Sequence, residues 1–159
     1  MSRIIGRVVV GVSGSPRNLH ALRHAVELAR SYDATLIAVH AVGPARSRRR
    51  LIRRRAVPWQ QAASIVVRTA FDDGLGGLPR DVDCVLLAAP GGPGPSLLAV
   101  ADRANDVLVL GATRRRGGLR RRFRARVAEY CVTRADCSVL TVPPPPLAAV
   151  DRRRVKLLA

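Results

Sequence analysis

Glycine at the end of an apolar run is chemistry suited to holding an anion, and the chain has two such stretches. The first is Ser13-Gly14-Ser15, directly after the run RVVVGV at 7–12. The second is GATRRRGGLRRRFRAR at 111–126, which holds eight arginines, with Gly111 before the first triplet and Gly117-Gly118 after it. Glycine lets backbone amides approach a phosphate closely, and a helix start adds more amides and the positive end of the helix dipole. A guanidinium fork also grips phosphate by itself. The competing reading is a solvated basic face, which dense blocks of one charge commonly form.

Other reactive side chains do not assemble into a site. His20 and His24 stand one helical turn apart, but with no carboxylate or cysteine nearby they read as boundary histidines rather than zinc ligands. Ser13, Ser15 and His40 lack the nucleophile elbow and buried acid that would make them a hydrolytic set. Asp72-Asp73, beside GLGG, reads as a helix-end turn. Cys84, Cys131 and Cys137 are odd in number, and no pair has CxxC spacing, so they read as reduced, packed thiols. With no catalytic constellation and no metal site, the expectation is a binding protein rather than an enzyme.

The 159 residues carry a net charge of +17, and Lys156 is the only lysine among 28 basic residues. Such charge attracts polyanions, whether nucleotide, nucleic acid, acidic protein or anionic lipid. Arg, Ala, Gly and Pro all have GC-rich codons, so genomic composition is a second source of the same bias. Seven arginines fall in 46–55 and eight in 111–126, and Arg152, Arg153, Arg154 and Lys156 close the chain. Aromatics are only 3%, so any contact with nucleic acid would run through its backbone rather than through stacked bases.

The elements that must position these residues follow from hydrophobic pattern. With 48% apolar residues and few aromatics, the core must be Val, Leu, Ile and Ala, a mix suited to buried parallel strands. RVVVGV is predicted as a strand buried on both faces. Ser15 and Pro16 suit a helix start, and 17–32 carries Leu19, Leu22, Val26 and Ala29 at helical spacing. TLIAVHAV (35–42) is a second strand. A helix over 59–75, with Ala62, Ile65, Val66 and Thr69 inward, leads to a third strand at 83–90. A short helix from Pro95 or Ser96, a strand at 106–111, a helix over 123–135 with Val127, Cys131 and Val132 inward, and a strand at 137–142 complete the pattern. Hairpin signals are absent, so the strands connect by crossovers into an open parallel sheet with helices on both faces. Ligands in such sheets sit beyond the carboxyl ends of the strands, which selects the loops after the first and fourth strands. The expected organisation is one domain over 1–146, with a basic excursion at 44–57 and a basic tail at 147–159. With no signal-peptide layout and no membrane-length apolar run, a cytoplasmic protein is expected.

The order of segments resembles the universal stress protein (UspA-like) family. VVVGVSGSPRNLHALRHAVELARSYDATLIAVHAV is similar to its opening strand, helix and second strand. DVLVLGATRRRGGL is similar to its fourth strand and glycine loop, and VAEYCVTRADCSVLTV to its closing helix and strand. The resemblance covers nearly all of 5–143. It implies a five-stranded sheet ordered 3-2-1-4-5, Rossmann-like, and a homodimer, often formed through the final strand (137–142). Nucleotide-binding members carry Gly, two residues, Gly, nine residues, then Gly-Ser or Gly-Thr, with an Asp after the first strand. Gly111 matches the first glycine here. Arg114, or with one inserted residue Arg115, stands at the second. Ala125 and Arg126, ahead of Val127, stand at the Gly-Ser pair, and Ser13 stands at the Asp position. Val42 is compatible with an adenine-flanking site. The signature is therefore degenerate: a side chain now occupies backbone that should meet phosphate, while the positive charge remains. The expectation is a non-catalytic binding or regulatory module for stress, with ATP or another adenine nucleotide disfavoured as a ligand and no cofactor assigned. The alternatives are a nucleotide sensor in which arginines replace the glycine loop, and a polyanion-binding protein on the same scaffold.

Overall fold

The computed structural model describes residues 4–14, 18–43, 59–112 and 119–144, with side chains from Gln61 onward in the third segment and from Arg126 onward in the fourth. Within them are five strands: β1 (Arg7–Gly11), β2 (Thr35–Val42), β3 (Cys84–Pro90), β4 (Asp106–Gly111) and β5 (Ser138–Val142). Four helices alternate with them: α1 (Leu19–Tyr32), α2 (Trp59–Leu75), α3 (Pro93–Val100) and α4 (Leu119–Arg134). All pairings are parallel, and the sheet runs β3-β2-β1-β4-β5.

Alternation along β1 builds two cores at once. Val8 and Val10 face α1 and α2, together with Leu22, Val26, Leu36 and Phe71. Val9 faces the other way, with Ile37, Leu97, Leu108 and Cys131 beneath α3 and α4. Three consecutive valines without exposed surface are the expected mark of a central parallel strand. β3, at one edge, packs Cys84 and Leu86 on the first core and only Ala89 on the second, which leaves Val85 and Leu87 exposed. β5 forms the other edge, and Leu140 is exposed there.

Four details of the helices differ from the expectation. α2 buries Ala63, Val67, Ala70, Phe71 and Gly74, one residue out of phase with the predicted face, while Ile65 and Thr69 point to solvent. Phe71, the largest fully buried side chain, decides the phase, and bare Gly74 lets Leu19 and Leu22 of α1 pack against it. α3 starts at Pro93, earlier than predicted, because first-turn amides need no intrahelical partner and proline therefore fits there. α4 starts at Leu119 rather than 123, since arginine is a good helix former whatever its charge. Val132 on α4 faces outward, 57% exposed, while Cys131 is buried.

At the amino ends of the strands Arg7 clamps β1 to β4. Its Nε and Nη2 donate to the two carboxylate oxygens of Asp106 at 2.8 and 2.6 Å, and Nη2 also reaches Asp102 at 2.7 Å and the Val100 carbonyl at 3.1 Å. Asp106 is buried and accepts a further bond from the Arg103 amide at 3.0 Å. The hydrogen bonds that Arg7 donates to Asp106 first, and then to Asp102, raise its pKa and keep the guanidinium charged, and the bond donated by Arg7 holds the Asp102 carboxyl below its usual range. Truncation of Arg7 to alanine would leave the Asp106 carboxylate buried without its cation. The expected loss is about 3 to 5 kcal/mol in a urea unfolding measurement, with the double variant Arg7→Met/Asp106→Leu recovering most of it.

Candidate functional site

The crevice that such a sheet leaves for ligands lies where β1 and β4 part. Their pairing ends at Val10↔Val109, after which β1 continues against β2 to Gly11↔Val39 and β4 against β5 to Gly111↔Val142. Beyond these pairs Val12 still donates to the Val39 carbonyl at 2.8 Å, and Ala112 to the Val142 carbonyl at 2.7 Å. The divergent strand ends therefore stay attached to their outer neighbours, and the opening between them falls at the reversal of strand order.

Two side chains close in on that opening from opposite faces of the sheet. Asn18, the residue preceding α1, makes no capping bond to its own helix; its Nδ2 donates to the Gly11 carbonyl. Its Oδ1 lies 3.0 Å from where a Cβ on Gly111 would stand. From the other face Leu97 of α3 sits 3.2 Å from where a Cβ on Gly11 would stand. Both strand-end glycines are thus places of close approach, filled by one polar and one apolar side chain. His40 Nδ1 lies 2.7 Å from the Val12 carbonyl and ties the β1 loop to β2.

Of the residues singled out in the sequence, Ser13 and Gly14 are exposed in the loop after β1, and Gly14 adopts the left-handed conformation at φ 63°. Val42, buried at the end of β2, accepts from the Gly91 amide at 3.0 Å, so the ends of β2 and β3 are joined there. Gly111 ends β4. Ser15, Arg114, Arg115, Gly117 and Gly118 lie outside the described residues, as do the basic excursion and the tail. Ala125, Arg126 and Val127 are all within α4, where Arg126 is exposed and Val127 packs on the second core. Asn18 escaped the pattern reading, although an Asn just before an apolar helical face is a capping signal.

The residues that match the family model described as "Universal stress protein family" run from 5 to 143. The chain belongs to the universal stress protein family. Among solved structures it is similar to a universal stress protein in complex with cAMP, at 26% identity and TM-score 0.63, covering 89% of this chain and 98% of that one. It is also similar to the universal stress protein UspA from Lactobacillus plantarum, at 22% identity and TM-score 0.65, covering 89% and 99%. A third relative, from Archaeoglobus fulgidus and in complex with dAMP, matches at 20% identity and TM-score 0.53, covering 87% and 98%. No match was found among curated proteins.

The remaining reactive groups of this universal stress domain stand away from the crevice or are suppressed. His20 and His24 meet edge to face with ring centroids 4.8 Å apart, and among the described residues no group of His, Cys, Asp or Glu is arranged to hold a metal. Burial first, then the positive neighbours His24 and Arg23, lowers the His20 pKa from its usual value. Burial raises all three thiols, pushing Cys131 up to about 11, with Cys137 adding to the shift. No helix among the described residues is long and apolar enough to cross a membrane. The loop geometry itself is open to test at Gly14. A Cβ there would lie 3.1 Å from Cγ1 of Val66, on a left-handed backbone. Gly14→Ala should therefore destabilise the fold by about 1 to 2 kcal/mol in chemical denaturation.

Proposed function

We propose that this universal stress domain is a non-catalytic binding and regulatory module of the stress response, acting in the cytoplasm, whose nucleotide site no longer holds triphosphate in the family's manner. The observation that carries the reading is Asn18, whose side chain spans the parting of β1 and β4 from the Gly11 carbonyl to the edge of Gly111. The altered signature supports it: Ser13 replaces the acid, and Ala125 and Arg126 replace the Gly-Ser pair within α4. A second reading, a cyclic-nucleotide sensor, is favoured by the relative at 26% identity in complex with cAMP and by Gly14, which keeps a left-handed loop after β1.

Thermal unfolding with ATP, ADP and cyclic AMP at moderate salt separates the readings, because a ligand that binds only the folded state at one hundred times its Kd adds about 2.7 kcal/mol. The degenerate-site reading expects no saturable shift with any of the three. A shift with ATP overturns it, and a shift with cyclic AMP alone selects the second reading.

The same reading includes a homodimer through β5, the edge strand among the described residues, where exposed Leu140 and Thr141 suit pairing with a second copy. Sedimentation should give a dimer for the native chain and a monomer for Leu140→Asp; a native monomer would remove this part of the proposal.

A further inference from the structure

Among the elements of the fold, α4 carries the densest run of basic residues. The helix holds Arg120, Arg121, Arg122, Arg124, Arg126 and Arg134 against one acid, Glu129. Five of these arginines lie in its first half, and no acid stands in its first turn, although exposed amides at a helix start already favour negative charge. Among the described residues, the ion pairs engage Arg7 with Asp102 and Asp106, and Arg30 with Glu27 and Asp81. These pairs lie at the amino ends of the strands or at the end of α1 that leads into β2, and none of them neutralises Arg126 or Arg134.

The outer face of α4 is a shallow groove of about 630 Å³ lined by Arg126, Glu129, Tyr130, Thr133 and Arg134. Arg126, Tyr130 and Arg134 recur every fourth residue and so form one row along about 12 Å of helix. An open face on one helix has no convergent walls to enclose a small anion, and it suits an extended one. The aromatic ring in the row is already engaged. The Arg134 guanidinium sits over Tyr130 at 4.3 Å, and Gly94 of α3 packs so closely that a Cβ there would come within 2.7 Å of the ring. A single strand would need such a ring as a stacking platform. A lipid surface would need an apolar stripe, and the exposed apolar side chain described on α4 is Val132 alone.

We propose that the outer face of α4 binds the phosphate backbone of duplex nucleic acid without reading its sequence. Arg126 and Arg134 neutralise phosphates and release their counterions, and no side chain of the row is placed to distinguish base edges. Arg126 also stands at the family's Gly-Ser position, so the duplex is titrated without nucleotide, and its salt dependence is read independently of any shift with ATP or cyclic AMP.

The test is titration of the full chain with a short labelled DNA duplex between about 50 and 200 mM salt. Affinity should fall steeply, with log K linear in log salt. Arg126→Gln/Arg134→Gln keeps the aliphatic stems and should reduce the magnitude of that slope by about 2, close to one per phosphate contact. Arg68→Ala/Arg80→Ala removes the same charge from exposed positions on α2 and before β3, and should leave the slope in place. Equal losses from both pairs would reduce the effect to net charge and overturn the proposal. So would affinity that is flat with salt, an unchanged slope in the α4 pair, tighter binding of a single strand, or a stronger preference for phosphatidylserine vesicles.

Discussion

The parallel placement of β1 between β2 and β4 is the constraint on which the remaining structure depends. Because the chain leaves β1 toward one neighbour and reaches the other only after two further crossovers, helices must cover both faces. β1 therefore supplies Val8 and Val10 to one core and Val9 to the other, and none of the three can be polar. The same reversal forces β1 and β4 apart after Val10 and Val109, so the buried centre of the sheet and its one natural opening have a single cause.

Charge is distributed along the strand direction in keeping with this architecture. Asp106 begins β4 and can be buried because Arg7, at the start of β1, meets both of its carboxylate oxygens. Asp102 joins the same guanidinium, and Asp81 and Glu27 are engaged by Arg30. A chain with only 11 acids against 28 basic residues places several of these acids where they lock crossovers together.

Much of this architecture was legible because apolar runs and their breaks follow simple periodicities. RVVVGV, TLIAVHAV and DVLVLG have no alternative as short, continuous, β-branched runs, and the strands at 7–11, 35–42 and 106–111 lie within one residue of their pattern. α2 was harder. WQQAASIVVRTAFDDGL has apolar residues over more than half its circumference, so periodicity permitted two phases, and the volume of Phe71 chose between them. Val132 is adjacent to Cys131 on α4, and a single residue of phase, about 100°, separates solvent from core. In the crevice, Gly14 and Gly111 announced themselves by residue type. Asn18 did not, because its partner is a backbone carbonyl seven residues earlier, and no sequence pattern specifies a bond that forms only after a strand and a helix have docked.

The burial of Cys131 has a chemical consequence. A thiol reacts with peroxides and disulfides as its thiolate, and burial that lifts Cys131 to about 11 leaves it almost wholly protonated near neutrality. Cys84 and Cys137 are shifted in the same direction by the same cause. Cys131 is therefore slow to enter the oxidation ladder. The second core, in which Cys131 is buried, is thereby shielded from that one route of disruption.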